Sequence, residues 1–154
     1  MKSNLGRTIA GAFILALTVY AGSFWGINHL RTRKGPWEVT YQTGDDAVPT
    51  IRIDQPSLGW SNVTIRFPGE TVQATTLPQT IRFDGPRSAG PFGETVFIDP
   101  TFLPGTVTLN FFGHEVQLMP RVLTVNRQEI AWRSGLVLDL DPANKQPSRP
   151  LNRP

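Results

Sequence analysis

Two histidines and no cysteine leave this chain of 154 residues few groups with which to run metal or nucleophilic chemistry. His29 lies in an apolar segment and His114 stands alone in the remainder. One histidine cannot build a His-based metal cluster, and a Ser-His-Asp triad would need an orienting acid for which the sequence gives no cue. The missing cysteines exclude a disulfide framework, a thiolate zinc site, an iron–sulfur cluster and a lipid-bearing N-terminal cysteine. Asp45-Asp46, after Gly44, offers carboxylates to calcium, but no EF-hand spacing of acids accompanies it. The pair reads as a solvated hairpin tip, and Gly113-His114 reads as a second turn with the histidine at its tip. No cofactor is expected, and no enzymatic role.

Binding chemistry has better candidates. Thr50-Ile51-Arg52-Ile53-Asp54, Thr64-Ile65-Arg66-Phe67-Pro68 and Thr80-Ile81-Arg82-Phe83-Asp84 share one pattern. In a strand the period of two turns Ile and Phe inward and leaves Arg52, Arg66 and Arg82 on the open face. There they either receive an anionic partner or pair with neighbouring acids such as Asp54, Glu70 and Asp84. Trp60, after Leu58-Gly59, and Phe92, inside the Gly/Pro-rich loop 84–93, are large aromatics on connections, where contact residues concentrate. They either meet a carbohydrate or peptide or fold back onto the core. Trp37 reads as a core plug at the base of the domain.

The elements that must hold these residues follow from charge and proline placement. The net charge of +3 suggests a polyanion binder, but the charge is unevenly spread. Residues 1–35 carry Lys2, Arg7, Arg31, Arg33 and Lys34 and no acid; residues 36–142 carry seven arginines against twelve acids; residues 143–154 add Lys145, Arg149 and Arg153. The folded part is therefore acidic. Nucleic-acid binding needs cations on the folded surface, so no nucleic-acid partner is expected.

Thr8 to Leu30 runs 23 residues without a formal charge. As a helix it spans about 34 Å, enough for a hydrocarbon core of about 30 Å. Tyr20, Trp25 and His29 fall at its C-terminal end, and Arg31, Arg33 and Lys34 come next as a charged stop. A cleaved signal peptide, cut after Val19-Tyr20-Ala21 or Ala21-Gly22-Ser23, is the competing reading. The uncleaved anchor is preferred because the apolar stretch continues through Phe24-Trp25-Gly26-Ile27 before the cations. Both readings put the chain beyond this segment on the exoplasmic side, the periplasmic face of a bacterial inner membrane. Small residues recur in steps of four at Gly6, Ala10, Thr18, Gly22 and Gly26, interrupted by Ile14, a spacing that lets another helix approach. The bilayer, and a second membrane protein or a second copy of this helix, are the expected partners.

Beyond Gly35, prolines at 36, 49, 56, 68, 78, 86, 91, 100, 104, 120 and 142 leave hardly a window for a helix of ordinary length. Alternation predicts strands at 37–42, 50–54, 62–67, 71–76, 80–84, 94–99, 106–112, 115–119, 122–125 and 129–132, with 136–140 closing the set. About ten short antiparallel strands in about 105 residues make a small β-sandwich or barrel-like domain. The expected organisation is a basic N-terminus at 1–7, a transmembrane signal anchor at 8–30, a basic linker at 31–35, an all-β domain at 36–141 and a Pro-rich, disordered tail at 142–154. The function expected is that of a membrane-anchored interaction module or accessory subunit of a membrane complex, with a carbohydrate- or peptide-binding domain as the alternative.

Overall fold

The computed structural model describes residues 2–73, 77–85 and 89–146. They fall into two compact units, divided between residues 33 and 34. The first is helix α1, Lys2–Thr32. It contains no proline and no acid, and its three threonine hydroxyls bond back onto the helix. Thr8, Thr18 and Thr32 donate to the carbonyls of Asn4, Ile14 and Asn28, so none needs water. Residues 4–32 make one helix long and apolar enough to cross a membrane.

The second unit is a β-sandwich of ten strands. One sheet has the order β10 (Val137–Asp139), β3 (Trp60–Arg66), β2 (Pro49–Gln55), β1 (Trp37–Thr43), β4 (Gln79–Phe83). The other has the order β5 (Gly93–Asp99), β6 (Thr106–Phe111), β7 (His114–Leu118), β8 (Leu123–Val125), β9 (Gln128–Ile130). All pairings are antiparallel except that of β10 with β3, which is parallel because the chain crosses from the second sheet back to the first over residues 131–136. The inner faces supply Val39, Ile51, Ile53, Val63 and Ile65 from one sheet and Val107, Leu109, Val116, Leu118 and Leu123 from the other, all at most 1% exposed. This is the all-β fold that alternation requires: every second residue inward, in both layers.

Two hairpins are closed by residue pairs with positive φ at both central positions. Phe112 and Gly113 (53° and 82°) join β6 to β7, and Asn126 and Arg127 (49° and 67°) join β8 to β9. Both have the signs of a type I′ turn, whose twist matches that of the strands. Of the expected strand at 71–76, residues 71–73 lie outside any strand, and 74–76 lie outside the described residues. Of the expected tail, Pro142–Asn144 is instead a 3-10 turn capped by the Asp141 side chain, which accepts from Ala143 N, and residues 147–154 lie outside the described residues.

Candidate interaction surfaces

The three arginines share one face, as their spacing implies. Register places Arg82 opposite Glu38 and Glu38 opposite Asp54; one row along, Thr80, Thr40, Arg52 and Thr64 lie side by side; in the next row Thr50 pairs with Arg66. Each guanidinium has an acid. Arg52 Nε bonds Asp54 Oδ2 at 3.0 Å, Arg82 Nε lies 3.4 Å from Glu38 Oε1, and Arg66 holds Asp46 and, at 3.6 Å, Asp139. The partners are mostly not those the sequence suggested. Glu70 pairs with Lys145, and the Asp45-Asp46 hairpin tip is tied by its second acid to Arg66 rather than fully solvated.

Trp60 and Phe92 have different fates. Phe92, which the sequence left open between an exposed contact and a ring folded back onto the core, is 4% exposed and belongs to the core. Gly90 and Gly93 form an isolated β-bridge around Pro91-Phe92 and turn the ring inward onto Tyr41, Phe67, Phe111 and Phe112, with centroids 5.2 to 6.4 Å away. Gly93 has no room for a side chain: a Cβ would stand 2.2 Å from Asn110 O. That pair of glycines three residues apart is the signal from which the inward turn could have been read. Pro86, Arg87 and Ser88, in the same loop, lie outside the described residues.

Trp60 is half-buried in a stack of three indoles with Trp132 and Trp37, at centroid separations of 5.0 to 6.2 Å. Trp37, fully buried, fills the base of the core and donates Nε1 to Gly105 O at 3.0 Å. Trp132 donates Nε1 to Met119 O at 2.8 Å. Nothing in the spacing of positions 37, 60 and 132 signals a stack, because it depends on which strand ends meet.

His114 is not at a turn tip. It is the first residue of β7 and 1% exposed, and Asn126 Nδ2 lies 2.9 Å from its Nδ1. The turn sits one residue earlier than its glycine suggested, and a one-residue slip moves a side chain to the other face of the sheet. Burial, and then the Lys145 ammonium, lower the imidazole pKa below its ordinary value. Tyr41, also fully buried, has a hydroxyl without a hydrogen-bond partner among the described residues, and burial pushes its pKa far upward.

Around His114 the C-terminal segment is fastened to the sandwich. Asn126 Nδ2 donates to Asn144 O, Gln146 N to Gly113 O, Gln146 Nε2 to Asn126 O, and Lys145 pairs with Glu70. A groove of about 410 Å³ opens beside it between the edge strands β9 and β10, with Ile130, Leu138 and Leu140 among its walls. Among the described residues no three His, Asp or Glu side chains gather as a metal ion would require.

On α1, Gly6, Gly22 and Gly26 have open space where a side chain would stand. Twelve large apolar side chains from Leu5 to Leu30 are 54–72% exposed around the helix. Comparison with protein-family models, with characterised proteins and with solved structures finds no match to this chain.

Proposed function

We propose that this is a single-pass membrane protein whose β domain stands on the exoplasmic side, the periplasmic one in a bacterium, as a non-enzymatic interaction module or accessory subunit of a membrane complex. One observation carries the reading: α1 exposes large apolar side chains on all sides along its length. Such a surface belongs in lipid or against another helix. The domain adds support from its own composition. Arg52, Arg66 and Arg82 are occupied by acids, His114 by Asn126, and the core aromatics by one another. A carbohydrate- or peptide-binding role through Trp60 and Phe92 is the weaker alternative, since Phe92 is buried.

Purification of the full chain from membranes in mild detergent tests the proposal. A larger complex, or a self-associated form, should come with it, and Gly22→Ile with Gly26→Ile should reduce that association several-fold while Leu15→Ile with Leu17→Ile should not. A wild-type chain that runs alone overturns the module reading. Equal association in both variants reduces α1 to a plain anchor.

A further inference from the structure

We infer that the end of the sandwich bearing the indole stack is a binding surface for anionic phospholipid headgroups. Five segments meet at this end. They are the one leading into β1, the β2–β3 connection with Pro56–Leu58, the β5–β6 connection at 100–105, the β7–β8 connection at 119–122, and residues 131–136 after β9. Hydrogen bonds fix their common location: Trp37 Nε1 to Gly105 O, Gln55 Nε2 to Pro36 O, Ser134 Oγ to Gly59 O, and Trp132 Nε1 to Met119 O.

The residues on this end fit a membrane–water interface. Phe102 is 59% exposed, and Leu58, Trp60 and Trp132 are half-buried. Amphipathic indoles suit the headgroup layer, and here Trp37 and Trp132 have their N–H groups bonded within the domain. Lys34, Arg121 and Arg133 are exposed among them, against Asp84 and Asp99. The opposite end carries Asp45, Asp46, Glu70, Glu94 and Asp141 against Arg66, Arg127 and Lys145, and its rings are buried apart from the half-buried Phe112. Charge and exposed aromatic surface therefore select the same end. Cations near an anionic leaflet are attracted to it, and exposed aromatics insert beside them. Residues 33–36 join α1 to β1, whose first residue, Trp37, lies at this end.

The inference rests on α1 being anchored in a bilayer, and one experiment separates the two. The cysteine-free full chain receives a single nitroxide label at Ala131→Cys, in the loop end, or at Ala143→Cys, at the opposite end. It is reconstituted into vesicles of phosphatidylcholine with phosphatidylglycerol. Position 131 should collide several-fold less with a water-soluble nickel chelate than position 143, and more with oxygen. Arg121→Glu with Arg133→Glu, or Phe102→Ser, should return position 131 to the access of position 143. Protein that floats with the vesicles but shows equal nickel access at both positions overturns the headgroup surface alone, as does shielding indifferent to charge reversal. Protein that does not float overturns the anchor and the inference together.

Discussion

At the end of the sandwich that the chain reaches first, three indoles lie nearly parallel, tilted by 8° to 22°, whereas at the opposite end Tyr41, Phe67, Phe92 and Phe111 meet edge to face at 79° to 84°. The indole end comes from β1, β3 and the segment after β9, and two of its rings tie loops down through their N–H groups. It therefore stays in register while partly open to its surroundings. The phenyl end has no such handles. Its rings are buried, and its closure is delegated to polar contacts around His114, Asn126 and the C-terminal segment 141–146. The difference teaches that stacked indoles can close a core and still offer surface, while edge-to-face phenyl packing needs a cover.

The largest effect should come from breaking the stack at its buried member. Trp37→Ala removes a fully buried ring and the bond to Gly105 O, and should cost about 3–5 kcal/mol in urea unfolding of the full chain in micelles. Trp60→Ala, at the half-buried outer position, should cost less than half of that. Equal losses would mean that the stack is not graded from core to surface, and the contrast between the two ends would fail.

The next effect tests the cover. A soluble fragment from Lys34 to Gln146 should fold as a β protein, and one ending at Asp141 should be less stable by about 1–3 kcal/mol. The shorter fragment loses the Gln146 bonds to Gly113 and Asn126 and leaves Glu70 without Lys145. Matching urea midpoints would show that the segment rests on the phenyl end without holding it.

Much of this architecture was legible because alternation and proline are local signals. The windows at 37–42, 50–54 and 106–112 match β1, β2 and β6 within one or two residues, and the outward placement of Arg52, Arg66 and Arg82 stems from the same period. What was not legible is what depends on which chain ends meet. The pairing of Arg66 with Asp46 and Asp139, the joining of three distant tryptophans, and the return of residues 142–146 to cover Gly113 are long-range choices. The misplacement of His114 had a different cause: Gly113 correctly marked a turn but not which of its two central positions it occupied. For Phe92 the sequence left two fates open, because a Gly/Pro-rich loop can either expose an aromatic ring or fold it back, and the structure takes the second.

The smallest effect is a pH dependence confined to the phenyl end. The His114 pKa is lowered from the ordinary 6.5 first by burial and then by Lys145, while Glu70, Asn126 and Asp141 act in the opposite sense. A folded pKa below the unfolded one means that the unfolded chain binds the proton more readily. Stability is therefore complete above about pH 6.5 and declines as pH falls through and below that value, by at most about 1.4 kcal/mol per pH unit for one group. Urea midpoints of the full chain tracked from about pH 7.5 to 5, above most carboxylate titration, should show this decline. In His114→Gln it should flatten. In Lys145→Gln it should shrink, because losing the nearby ammonium raises the folded pKa toward its unfolded value. Trp60→Ala, at the other end, should lower every midpoint and leave the slope unchanged. A slope that persists in His114→Gln would assign the response to carboxylates and remove protonation from the contrast between the two ends.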